Sequence, residues 1–77
     1  MKNSTYTYEY QKFLENLRKA RKESGFTQIE VAQKLDQPQS YVSKCESGEK
    51  RVDVIELLRF SKIYNKQIGY FIQNIDY

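Results

Sequence analysis

One proline and two glycines constrain this chain more than any other feature. Gly25, Pro38 and Gly48 divide its middle into segments of helical length. Proline cannot continue a helix from within, and glycine best tolerates the left-handed cap that ends one. No segment alternates apolar and polar residues with a period of two, so the chain reads as all-α. A first helix is expected over about residues 7–24, with Tyr10, Phe13, Leu14, Leu17 and Arg21 on one face and Gly25 ending it. The second begins after Thr27, where Thr27-x-x-Glu30 is a capping box whose hydroxyl and carboxylate each satisfy an orphan amide. It turns Val31, Ala32 and Leu35 inward. The third starts at Pro38, whose fixed φ and missing amide hydrogen suit a first helical position, and ends at Gly48. A second box, Asp53-x-x-Glu56, opens a fourth helix with Val54, Leu57, Leu58 and Ser61 on one stripe, stopping near Asn65. Ile68, Phe71, Ile72 and Ile75 give a short fifth amphipathic helix, in which Gly69 costs ~1 kcal/mol relative to alanine.

With 77 residues, a single domain over 1–77 is expected, because a domain this small buries only about 60% of the surface its unfolded chain exposes. The single Cys45 excludes an internal disulfide framework and a zinc cluster, and points to a reducing, cytoplasmic setting. A packed thiol in an inward slot is the reading for Cys45, rather than a redox sensor. No apolar run approaches the ~20 residues that span a bilayer, and no signal segment is evident, so no membrane partner is expected. The chain has no histidine, which removes the usual general base, and no nucleophile-and-base constellation replaces it. No enzyme activity and no cofactor are expected. A net charge of +3 permits a polyanionic partner without establishing one.

The tight connection between the second and third helices, spanning about residues 27–47, is the arrangement in which the second member can enter a DNA major groove. At about 100° per residue, turning Val42 inward puts Ser40 and Lys44 on the opposite side, with Tyr41 and Ser43 flanking and Gln39 leading. Lys44 could donate to guanine O6 and N7, Gln39 could pair with adenine N6 and N7, and Ser40 could donate or accept. Taken alone, this helix is equally well described as a solvated polar face. Phosphate contacts are expected from Lys50 and Arg51 in the loop after Gly48, from Gln28 at the start of the second helix, and from the flanking Tyr41 and Ser43. The alternative for Lys50 and Arg51 is an ordinary solvated loop. Arg18, Lys19 and Lys22 are placed on the solvent face of the first helix. Arg21 extends an apolar stripe and Glu46 lies on the inward side near Val42, so each charge needs a partner, and a structural pair across the bundle satisfies both.

The stretch TQIEVAQKL followed by PQSYVSKCESGEKRVD resembles the lambda-repressor-like helix-turn-helix family of the Xre or Cro/C1 type, over about residues 14–72. Its carriers are Thr27-Gln28, Val31-Ala32, Ser43 and Glu46, and Ser47-Gly48. The resemblance implies a compact five-helix bundle that binds double-stranded DNA through its second and third helices. It implies base contacts at Gln39, Ser40 and Lys44, phosphate contacts at Gln28, Tyr41 and the loop after the recognition helix, and the same Arg21–Glu46 pair. The chain departs at Gln37-Pro38, where family members often carry a Ser or Thr cap.

One module of this size makes a weak interface with DNA, so a homodimer on half-sites about one turn apart is expected, controlled by concentration and acting at an operator near a promoter. Tyr64, Tyr70, Phe71 and Ile75, with Phe60, Ile63 and Tyr77, supply the expected dimer surface; the alternative is that most of them fill the core of one chain. Tyr6, Tyr8 and Tyr10 either pack there or form an N-terminal arm. No second domain is expected to receive a small-molecule effector. A second functional reading is an antitoxin-like module that binds another protein, with DNA binding secondary.

Overall fold

The computed structural model describes residues 7–76. Among the described residues five helices follow one another: α1 (Tyr8–Ser24), α2 (Gln28–Leu35), α3 (Gln39–Ser47), α4 (Val54–Tyr64) and α5 (Ile68–Phe71). No strand occurs among the described residues. Local chemistry fixes most of the boundaries. Thr7 Oγ1 accepts the Tyr10 amide at 3.2 Å to start α1, and Gly25, at φ 79°, closes it. Both capping boxes are complete: Thr27 with Glu30 opens α2, and Asp53 with Glu56 opens α4. The stops after α2 and α4 are not glycines. Asp36 (φ 55°) and Asn65 (φ 53°) take the left-handed conformation, which short polar side chains tolerate better than other non-glycine residues do.

Pro38 is the N-cap of α3, not its first helical residue. Its backbone is extended, at ψ 156°, while its carbonyl already accepts the Tyr41 amide at 3.0 Å. No side chain caps this end.

The core draws on every helix. Phe13, Leu14, Leu17 and Ala20 from α1 meet Val31 and Ala32 from α2, Val42 and Cys45 from α3, Phe60 and Tyr64 from α4, and Phe71 from α5. In α4 the inward stripe differs from the expected one. Phe60, Ser61 and Tyr64 are buried with Leu57 half-buried, whereas Val54 is 71% and Leu58 41% exposed. Leu57, Phe60, Ser61 and Tyr64 follow helical spacing, and burying two aromatic rings outweighs burying Val54 and Leu58.

The fifth helix is shorter than its apolar pattern suggests. It stops at Phe71, Ile68 and Ile72 stay exposed, and Ile75 packs against the core from an irregular segment. Asn16, a buried residue of α1, explains the stop. Its Nδ2 donates to the Phe71 carbonyl at 3.0 Å and to the Gln73 carbonyl at 2.9 Å. Two carbonyls that a longer helix would satisfy internally are thus satisfied from α1, and Asn74, at φ 61°, turns the chain.

This packing also corrects the expected dimer surface. Tyr64 is 3% and Phe71 0% exposed, so both belong to the core of one chain and offer a second chain no area. Tyr70 is half-buried, with its hydroxyl donating to Glu23 at 2.8 Å, and Ile75 is partly buried. Of the N-terminal tyrosines, Tyr10 is pinned: its ring lies 5.2 Å from that of Phe13 and its hydroxyl accepts the Val52 amide at 2.9 Å. Tyr8 is exposed, and Tyr6 and Tyr77 lie outside the described residues.

Candidate nucleic-acid interface

Helix α3 lies against α1 and α2 through Val42, Cys45 and Glu46, all buried. A carboxylate in that position must be paired. Arg21 of α1 supplies the partner with two near-parallel bonds, Nε to Glu46 Oε2 at 2.7 Å and Nη2 to Oε1 at 3.0 Å. The bonds that Arg21 donates to Glu46 raise the guanidinium pKa above its ordinary value against the opposing effect of burial. Arg21 Nη1 also donates to the Phe26 carbonyl at 3.1 Å, tying the pair to the α1–α2 connection. Arg18 does not lie on a solvated face. It is half-buried and its Nη1 donates to the Glu46 carbonyl at 2.7 Å, so two arginines of α1 hold the C-terminal half of α3.

From this buried pair a chain of hydrogen bonds runs outward. Gln28 Nε2 donates to Glu46 Oε1 at 3.0 Å, and Gln28 Oε1 accepts from Gln39 Nε2 at 3.0 Å. Both carboxamides are thereby oriented. Gln39, the first residue of α3, keeps its oxygen and one N–H for a partner, and Gln28 keeps one N–H. Gln39, Ser40 and Lys44 are exposed. Lys44 forms no ion pair among the described residues. Ser43 is half-buried, and its hydroxyl donates to the Ser40 carbonyl at 3.3 Å.

The basic loop after α3 is docked on the protein. Lys50 Nζ donates to Glu56 Oε2 at 2.6 Å and to the Arg51 carbonyl at 3.0 Å, and it lies 5.4 Å from the centre of the Tyr41 ring. Tyr41 donates its hydroxyl to the same Glu56 oxygen at 2.7 Å. Arg51 stacks its guanidinium 4.6 Å over the Tyr10 ring. Burial works to raise the Glu56 pKa, but bonds from the Asp53 amide, Lys50 and Tyr41 hold it below the ordinary carboxylate range; its bond in turn raises the Lys50 pKa. Sequence spacing marks Glu56 only as half of a capping box. Nothing in it shows that the loop folds back to bring Tyr41 and Lys50 to the same carboxylate, and nothing singles out Asn16.

Cys45 is fully buried, and burial pushes its thiol up to about 11. Alkylation by iodoacetamide at neutral pH is therefore expected to run on the order of 10³-fold or more slower in the native protein than in urea, because the thiol is reached only when the domain opens. Comparable rates in the two states would place the thiol at the surface.

A short helix that presents polar side chains at its leading end, crossed by a second helix and braced from within by an ion pair, defines a DNA-binding helix-turn-helix domain. The Cro/C1-type helix-turn-helix family matches this chain over residues 17–71, and the chain belongs to that family of lambda-repressor-like, Xre-type regulators. Comparison with curated proteins and with solved structures found no match. Among the described residues, no helix is long and apolar enough to cross a membrane.

Proposed function

We propose that this protein is a sequence-specific transcriptional regulator that binds an operator near a promoter as a homodimer, with α3 in the major groove. The observation that carries the reading is the hydrogen-bond chain from Glu46 through Gln28 to Gln39. It holds the carboxamide at the head of α3 in one orientation, which a merely solvated surface does not need and base recognition does. Gln39, Ser40 and Lys44 take the base edges, and Gln28, Tyr41, Ser43, Lys50 and Arg51 the phosphates. In this reading the chain acts as one domain in the cytoplasm, without enzyme activity, cofactor or small-molecule effector.

A second copy is needed because one module contacts too little DNA for discrimination across a genome. The area available to it is supported by exposed apolar residues at the start of α4, Val54 at 71% and Ile55 at 53%, with Leu58 one turn on. An open apolar groove of about 440 Å³ near Tyr10, Phe13, Ile72 and Ile75 adds to it.

Selection of bound sequences from a random duplex pool tests the reading. Enrichment of a motif with two-fold symmetry is expected. Gln39→Ala and Lys44→Ala should each cost about 1–3 kcal/mol on the selected duplex and relax preference at a single base-pair position. A pool without enrichment, bound equally by both variants, would overturn it and favour the protein-binding module.

A further inference from the structure

Glu56 joins three parts of the interface: the start of α4, the loop that precedes it, and α3. Its Oε1 accepts the Asp53 amide at 2.9 Å within the capping box of α4. Its Oε2 accepts both the Tyr41 hydroxyl of α3, at 2.7 Å, and the Lys50 ammonium of the loop, at 2.6 Å. The carboxylate side chain is 15% exposed and that of Lys50 39%, so the pair sits at the edge of the surface, where a phosphate can reach the lysine.

Donor counting sets the consequence. Tyrosine has one hydroxyl proton and lysine three ammonium protons. The tyrosine proton is committed to Glu56, and Lys50 spends one on Glu56 and one on the Arg51 carbonyl. While bonded to Glu56, Tyr41 therefore has no donor for a phosphate oxygen, and Lys50 has one; Tyr41 reaches a phosphate only when that bond is given up. The carboxylate also offsets the lysine charge that a polyanion would meet. Gln39 makes its bond to Gln28, away from this cluster, and Lys44 is exposed, so the base-reading side is unaffected.

We propose that Glu56 is a counter-charge latch that holds Lys50 and Tyr41 off the DNA backbone, suppressing affinity for DNA of any sequence while leaving the base-reading face of α3 available. The inference rests on the reading that α3 and the following loop face DNA. Binding without regard to sequence is almost wholly a phosphate term. A carboxylate that withholds phosphate contacts therefore lowers affinity for every duplex, and the base contacts of α3 make up a larger share of what remains. A phosphate that displaces Glu56 from Lys50 replaces one anion by another at the ammonium, and Glu56 keeps the Asp53 amide.

Glu56→Gln tests this, because the glutamine oxygen can still accept the Asp53 amide while the negative charge and the second acceptor are gone. Affinity for a random-sequence duplex is measured across salt concentrations for wild type, Glu56→Gln, Lys50→Ala and the double variant, with thermal unfolding of each. Glu56→Gln is expected to bind on the order of tenfold more tightly at ~50 mM salt. Its log-log salt slope should be steeper by about 0.9, one further phosphate neutralised. Lys50→Ala alone should change the slope by less than half that amount, and combined with Glu56→Gln it should abolish the gain. A folded Glu56→Gln with wild-type slope and affinity overturns the latch. So does a gain that persists without Lys50, which would assign the effect to net charge. If Glu56→Gln does not fold, Lys50→Ala decides: a near wild-type slope supports the latch, and a loss of about 0.9 overturns it. A wild type without salt-dependent duplex binding would remove the DNA reading and the latch together, whereas failure of the variants on a wild type that binds removes the latch alone.

Discussion

Arg21→Met is expected to destabilise the domain by ~3–5 kcal/mol, the cost of leaving a buried carboxylate without its partner. Glu46 has a side chain only 3% exposed and takes two bonds from the guanidinium. With methionine at 21 it keeps one side-chain donor, Gln28. Against the roughly 5–15 kcal/mol that holds a small domain together, the loss is a large fraction, and the urea midpoint should fall accordingly. Replacing both members by apolar residues of similar volume is expected to recover most of the loss, because the desolvation penalty disappears with the charge. The Gln28–Gln39 alignment depends on Glu46, so the double variant should regain stability and still bind DNA poorly. A cost below ~1 kcal/mol for Arg21→Met would mean that the pair behaves as a solvated surface bridge.

Phe71→Ala is expected to cost ~3–5 kcal/mol through the cavity it leaves. The residue is fully buried beside its neighbours on α1 and α4, and its carbonyl is held by Asn16. The measurement is equilibrium unfolding at several protein concentrations. A core residue lowers the unfolding free energy of the chain itself, so the loss should be independent of concentration. Were Phe71 the anchor of a dimer, the variant would instead dissociate on dilution with its monomer stability intact.

The helical architecture was legible because its boundaries are set locally. Thr27 with Glu30, Asp53 with Glu56, Gly25 and Gly48 each act within a turn or so of the chain. The stops at Asp36 and Asn65 carried a weaker signal, since these residues adopt positive φ only when the surrounding packing asks for it. Tertiary choices were less accessible. Whether α4 buries Val54 and Leu58 or Phe60 and Tyr64 depends on what the other helices offer, and the apolar periodicity of α4 is compatible with both. The fifth helix stops where Asn16, in a helix distant in sequence, takes the carbonyls of Phe71 and Gln73. Within the interface, exposure of Gln39, Ser40 and Lys44 follows from the position of Val42. The engagement of Tyr41 and Lys50 by Glu56 does not, because it depends on the path of a loop.

The most direct test of the central reading is an amide NMR titration of the labelled protein with a selected duplex. Perturbations are expected at Gln28, along Gln39–Lys44 and at Lys50 and Arg51, with the amides of α5 and of Ile72–Asp76 much less affected. Perturbation centred on Val54, Ile55 and Leu58, with Gln39–Lys44 unchanged, would contradict the assignment of α3 as the DNA-reading helix.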